Sequence, residues 1–358
     1  MDVLKKLHLK DFHVKNNAKF ASFAGWEMPI SFGSSLEEHA GVREDLRVFD
    51  VSHMGQIEVS GQDALEFLNY MLTNDLRNCL VGGAQYTLMC DEKGGVIDDL
   101  IIYRLDKDKF LLCVNASNTE RDFRHLLDKK STSDCEVIDL SETLGLLAFQ
   151  GPSSSSVLEH ILGIQLSNVK KMSFIRPNLF GEKVLLACTG YTGENGFEIY
   201  CSKKILERLA SICSENGIRW AGLAARDSLR LEAGYPLYGN ELSASISPLQ
   251  AKLGWAVGWN KNSFLGDNAL RNEKQNGSSG YVEYYSAKGG RIPRKDSIII
   301  DPFENEAGRV ISGGFSPSFS RPIGTAWVKS ENLENRKLDG WKVLLRGKEI
   351  PINFGRLS

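Results

Sequence analysis

The chain has 358 residues, 42% of them hydrophobic and 25% charged, with a formal net charge of -2. That length allows roughly two or three domains, and the composition is that of a globular protein able to bury a large core without staples. The charge balance gives no reason to propose nucleic acid as a partner, and no apolar run approaches the roughly 18–20 residues that span a bilayer.

The N-terminus, Met1-Asp2-Val3-Leu4-Lys5-Lys6, leads into charged sequence. It has neither a signal-peptide apolar core nor an Arg/Ser-rich import leader, so a cytoplasmic protein is expected. No fixed-period repeat follows. The segment from Glu37 to Arg47 is helical in pattern and runs into Phe49-Asp50-Val51-Ser52-His53-Met54-Gly55. Gln56 to Ser60 alternates like a strand, and Gly61-Gln62-Asp63 opens a helix through Leu68. Strands are expected over Gln85–Cys90 and Val96–Arg104, joined by the turn Asp91-Glu92-Lys93-Gly94-Gly95, and over Phe110–Asn115; Asn118–Leu127 reads as a helix.

Two adjacent aspartates interrupt the second of these strands. Side chains alternate along a strand, so Asp98 shares a face with Val96, Leu100 and Ile102, and Asp99 with Ile97, Ile101 and Tyr103. If both faces are covered, at least one carboxylate is partly buried, a cost that suggests a functional group. The other open reading is a pair that caps the Gly94-Gly95 turn.

Thr189-Gly190-Tyr191-Thr192-Gly193-Glu194-Asn195-Gly196-Phe197-Glu198-Ile199-Tyr200 places three glycines in a short span. They permit a tight loop and close approach of a ligand to backbone. The strand that follows sets Glu198 and Tyr200 on one face. A carboxylate held this way can accept two parallel N–H bonds from a planar guanidine-like edge such as a pterin's. The alternative is a hairpin with a surface glutamate. Ala221 to Tyr235 reads as a helix stopped by Gly234, with Arg226 and Arg230 four apart on one face. They bind anionic groups, position Glu198, or pair with Asp227 and Glu232.

Mixed α/β character continues to about Asn272, and Glu273-Lys274-Gln275-Asn276-Gly277-Ser278-Ser279-Gly280 reads as a linker. Beyond it, short β-like pieces (Tyr281–Ser286, Ser297–Ile300, Arg309–Ile311, Ile323–Val328, Lys342–Arg346) suggest a small barrel or sandwich. The seven cysteines form no C-x-x-C pair and suit a reducing compartment. The six histidines show no metal-ligand spacing. No metal is expected; the thiols read as buried and the histidines as ordinary surface residues.

The ordered blocks together carry more than any one of them. Phe23 to Ile30, Phe49 to Gly55, Gly94 to Leu100, Phe149-Gln150-Gly151-Pro152, Thr189 to Glu198, Ala225-Arg226-Asp227 to Gly239 and Gly314-Phe315-Ser316-Pro317-Ser318 closely resemble the glycine-cleavage T-protein family, from about residue 17 to 330. The resemblance implies an α+β fold in which three domains form a cloverleaf around a central folate cavity. Mixed α/β folate-binding lobes would occupy residues 1–277, as 1–50 with 138–245 and 51–137 with 246–277, followed by a β-barrel at 278–358.

It further implies an aminomethyltransferase that takes an aminomethyl group from the lipoyl arm of a carrier, the H-protein, and passes the carbon to tetrahydrofolate as co-substrate. Ammonia and a dihydrolipoyl arm are the other products. Nucleic acid and membrane are not expected partners. By the same resemblance Asp99 is the essential acid, Glu198 the pterin-edge carboxylate, and Tyr86, Tyr103, Asn115, Tyr191 and Arg226 line the folate. Met54 forms an apolar wall, and Arg356 is a candidate for a terminal folate contact. Family members usually carry an arginine before the Thr-Gly-Tyr block; here it is Cys188. Two rivals share the superfamily: a folate-dependent demethylase of a small methylated compound, and an iron–sulfur assembly factor, whose Lys-Gly-Cys-x-x-Gly-Gln block is missing. A degenerate binding protein is disfavoured by the survival of Asp99, Glu198 and Arg226.

Overall fold

The computed structural model describes residues 3–355, so Arg356 lies outside the described residues. The chain divides into two compact units. The first gathers the residues up to Met71 with Asp75–Thr87 and Leu100–Asp227; the second gathers Leu72–Asn74, Leu88–Asp99 and the chain from Ser228 onward.

Two five-stranded sheets precede the barrel; the first lies wholly in the first unit, and the second also includes Leu88–Cys90 and Val96–Asp99 from the stretch assigned to the second. One has the order Phe174–Ile175, Leu185–Ala187, Gly196–Ser202, Leu144–Gln150, Arg47–Asp50, with antiparallel neighbours throughout. Its central strand turns Phe197, Ile199 and Cys201 into an apolar core shared with Val48, Leu147 and Phe149. The helix Lys203–Glu215 closes that core with Ile205, Leu206 and Leu209, residues spaced to share one helical face. Ser202 caps it by accepting from the Ile205 N–H at 3.4 Å. The other sheet has the order Ala84–Cys90, Val96–Asp106, Lys109–Val114, Gly55–Ser60, Glu136–Asp139.

The second unit holds the C-terminal β-structure, which closes into a six-stranded barrel rather than a sandwich. Its order is Gly280–Ala287, Arg321–Lys329, Glu306–Ser316, Ile298–Ile300, Lys342–Leu345, Lys348–Phe354, and the last strand pairs back to the first. Inward residues such as Tyr285, Ile299, Val310, Trp341 and Ile352 fill it.

Three sequence expectations change. The residues read as a linker from Glu273 lie, as far as Asn276, in the helix Asp267–Asn276. That helix is polar nearly all round and buries only Leu270 and Asp267, so it offers no apolar stripe to read. The helix read as Glu37–Arg47 is Ser35–Glu44, and Arg47 instead starts the strand Arg47–Asp50, every residue of which is buried.

The histidines are not all surface residues: His13, His39 and His53 are buried. His13 Nε2 lies 2.8 Å from Asp50 Oδ2, both side chains fully enclosed, with Trp220 and Phe32 edge-on to the ring. Burial pushes the Asp50 carboxyl up, but His13 and Ser52 outweigh it and hold the group below its ordinary range. The partner stands 37 residues away, which no local spacing reveals. No helix among the described residues is long and apolar enough to cross a membrane.

Candidate functional site

Glu198 sits on the central strand Gly196–Ser202, opposite Ala148 on one side and Ala187 on the other. Two small neighbours leave room above the carboxylate. Its side chain is 8% exposed, and Oε2 accepts from the Thr189 hydroxyl at 2.6 Å. Among the described residues Oε1 has no hydrogen-bond partner. Tyr200, two residues on, stands on the same face; its hydroxyl is 3.0 Å from that of Tyr103, which is 3.3 Å from Thr189 Oγ1.

The loop that delivers this strand uses its glycines differently from the expectation. Only Gly193 takes a positive φ, +84°. Gly190 and Gly196 instead clasp the chain's own Gln150 side chain, which a Cβ would meet at 2.0 and 2.2 Å. Gln150 Nε2 donates to the Thr189 carbonyl at 3.2 Å, and its Oε1 accepts from the Thr192 hydroxyl at 2.9 Å. Arg43 donates to the Thr192 carbonyl at 2.8 Å and holds Glu194 at 3.0 Å. At Gly190 and Gly196 the close approach that glycine permits is that of the Gln150 side chain.

Arg226 comes from the first turn of the helix Leu223–Ala233. That turn is fixed by Glu38, which accepts from the Gly222 N–H at 2.9 Å and the Phe32 N–H at 2.6 Å. Burial pushes the Glu38 carboxyl up while these N–H groups pull it down. The Arg226 guanidinium lies over the Tyr191 ring, 4.7 Å from its centroid. Burial lowers its pKa, and Glu198 is the strongest opposing influence. His53, 4% exposed, is pushed down to about 3 by burial and by Arg226, so it is neutral at working pH. Arg226 Nη1 and His53 Nδ1 are buried and find no partner among the described residues.

The remaining predicted residues fall as follows. Tyr103 is fully buried, behind Thr189 rather than on an open surface. Met54 and Asn115 are half-buried and flank one end of the Gly55–Val114 strand pairing. Tyr86 is half-buried on the strand Ala84–Cys90. On Val96–Asp106 the alternation is clear: Val96, Asp98, Leu100 and Ile102 are buried, whereas Ile97, Asp99 and Ile101 are half-buried. Asp98, at 0% exposure, is the enclosed carboxylate, and Asp99 stands on the half-open face. The glycine turn has a cap of its own. Asp91 accepts from Lys93 N–H at 2.8 Å and Gly95 N–H at 3.0 Å.

Arg230, grouped with Arg226 by spacing, is committed to a buried carboxylate eleven residues on. Its Nη1 is 2.9 Å from Glu241 Oε2, both side chains buried, while Glu232 accepts from the Ser316 hydroxyl at 2.5 Å and the Ser318 hydroxyl at 2.8 Å. Sequence reasoning passed over Thr189, Tyr200 and His53. Tyr200 was within reach, since it lies two residues from Glu198 on one strand face. Among the described residues no group of three or more His, Cys, Asp or Glu could hold a metal ion.

The model described as the GCVT N-terminal domain matches residues 9–261. The chain is 42% identical to the aminomethyltransferase of Halothermothrix orenii over 91% of its own length and 92% of the relative's. It is 40% identical to that of Staphylococcus saprophyticus over 93% of each. The crystal structure of glycine cleavage system aminomethyltransferase T from Bartonella henselae superposes with a TM-score of 0.92 at 36% identity, covering 99% of this chain and 98% of that one. A mixed α/β region followed by a six-stranded barrel is thus the T-protein fold, and the chain belongs to the glycine-cleavage T-protein family of aminomethyltransferases.

Proposed function

We propose that this enzyme is the aminomethyltransferase of the glycine cleavage system, moving the methylene carbon of an aminomethyl-lipoyl carrier protein to tetrahydrofolate. In the overall change the carbon gains bonds to two folate nitrogens and loses its bonds to the amine nitrogen and the lipoyl sulfur. The two protons released by the folate nitrogens end on ammonia and on the thiol. The observation that carries the reading is a recognition edge left half-satisfied: Arg226 Nη1 is buried without a partner among the described residues, and Glu198 Oε1 receives no hydrogen bond from them. A buried polar atom without a partner is costly, and a planar ligand with N–H donors and a carbonyl acceptor would complete both. A pterin ring has that edge.

In this reading Glu198 accepts the pterin's paired N–H groups, Arg226 is held in place by Tyr191 and donates to the ligand, Tyr86, Asn115 and Met54 shape the remainder, and Tyr103 stands behind Thr189. Asp99, on its half-open strand face, orients the folate nitrogens and carries protons between them and the leaving groups. Arg356 is the proposed terminal contact. The two five-stranded sheets would be the cores of interleaved lobes, 1–50 with 138–245 and 51–137 with 246–277, with the barrel at 278–358. The donor arrives on a separate lipoylated H-protein, in a weak and salt-sensitive complex, and the reaction belongs to the cytoplasm.

The test is ammonia release from an aminomethylated lipoyl carrier with and without tetrahydrofolate. Folate-dependent acceleration supports the assignment. No acceleration, with turnover of a small methylated amine instead, would transfer the chain to the demethylase branch.

A further inference from the structure

Glu198 ends a line of hydroxyl groups, and counting hydrogens fixes the direction of every bond in it. An ionised carboxylate only accepts, so Thr189 uses its one hydroxyl hydrogen on Glu198 Oε2 at 2.6 Å. Tyr103, 3.3 Å away, must then donate to Thr189 Oγ1. With that hydrogen committed, the 3.0 Å bond between the two phenols must be donated by Tyr200.

We propose that Tyr200, Tyr103 and Thr189 form a one-way hydrogen-bond relay that positions Glu198 for its ligand, with Thr189 the residue through which the tyrosines act. The proposal rests on the reading that Glu198 holds the pterin. Thr189, Tyr103 and Tyr200 are all buried, so solvent cannot stand in for a lost member. Burial also raises both phenols well above their ordinary range, so they remain protonated donors at any working pH. Hydrogen bonds aligned head to tail polarise one another in a low-dielectric interior. The relay therefore does more than fill space behind the strand. It occupies one lone pair of Oε2, fixes the plane of the carboxylate and leaves Oε1 to the ligand.

Calorimetric titration of tetrahydrofolate into four variants, with parallel steady-state kinetics, tests the relay. Thr189→Val keeps the shape and removes the hydroxyl; folate affinity should fall roughly tenfold, mainly as a raised KM with little change in kcat. Thr189→Ser, which restores the hydroxyl, should bind within about twofold of the parent, taking a factor of two as small beside one bond. Tyr200→Phe keeps the ring that packs edge-on to Tyr103 at 5.3 Å and should weaken binding by about two- to threefold, the size of a cooperative contribution. The double variant should bind no worse than Thr189→Val alone, because Tyr200 acts only through Thr189.

Multiplying effects in the double variant, or a serine variant as weak as the valine one, would overturn the relay. Glu198→Gln is the control. If it is impaired while Thr189→Val is normal, the relay alone fails; if Glu198→Gln itself binds like the parent, the pterin reading fails and the relay with it.

Discussion

Arg226 and Arg230 stand four residues apart on one helix, yet each belongs to a buried cluster of the opposite kind. Around Arg230 every charge is met by protein. Its guanidinium reaches Glu241, the Tyr235 carbonyl and the Ser312 hydroxyl, and Glu241 also accepts from the Leu237 N–H and the Thr325 hydroxyl. Burial pushes the Glu241 carboxyl up, but Arg230 with these donors holds it below its ordinary range. Around Arg226 the accounts stay open: Nη1 has no partner among the described residues, and Glu198 has one. A saturated buried pair is a structural device, whereas the open one is where the proposed ligand would supply the missing partners. Spacing alone gave the two arginines the same standing.

The largest effect should come from the carboxylate assigned to chemistry. Asp99→Asn should lower turnover by roughly 10²–10⁴, the range for a positioned acid or base, with much less change in folate affinity. Asp98, fully enclosed on the other face of the strand, should show the reverse when changed to Asn: a loss of stability with a milder effect on turnover. Normal turnover in Asp99→Asn would remove it from the mechanism.

Next in size is the saturated cluster. Arg230→Met leaves Glu241 buried without its cation and should cost about 3–5 kcal/mol of stability. Urea unfolding reads that loss directly, and the protein that remains folded should bind folate like the parent. Glu198→Gln should behave oppositely. It sets an amide donor against the pterin's own donors, at a cost of about 1–3 kcal/mol. Folate affinity should fall by roughly ten- to a hundredfold while the unfolding midpoint barely moves. Affinity lost in Arg230→Met, or stability lost in Glu198→Gln, would erase the distinction between the clusters.

Much of this was readable without coordinates, for identifiable reasons. Strand alternation separated Glu198 and Tyr200 from Phe197 and Ile199, because a period of two is a local property. The barrel announced itself through short, glycine-punctuated runs, although the strand Lys348–Phe354 went unread despite Ile350 and Ile352 facing in and Glu349, Pro351 and Asn353 out. What stayed hidden was tertiary pairing. His13 with Asp50, Arg230 with Glu241, and Tyr103 with Tyr200 across 97 positions leave no mark in local sequence. The packing of Gly190 and Gly196 stayed hidden for a related reason, since nothing nearby shows that Gln150 fills the space they vacate.

The smallest expected effect separates the open cluster's neutral member from its charged one. His53 carries a folded-state pKa of about 3 against an ordinary 6.5, owing to burial and then to Arg226, with Asp50 pulling the other way. A histidine with a depressed pKa favours the neutral form in the folded state. Its unfolded counterpart binds more protons throughout the interval between the two values, so stability rises with pH across it. Falling from pH 6 to pH 5 should therefore cost the parent protein about 1 kcal/mol through His53 alone, close to the limit of about 1.4 kcal/mol per pH unit for one group. His53→Asn has no such proton to take up and should flatten that part of the profile. Urea unfolding of both proteins at the two pH values is the measurement. Parallel losses would mean that His53 titrates alike in both states, and that Arg226 does not keep it neutral.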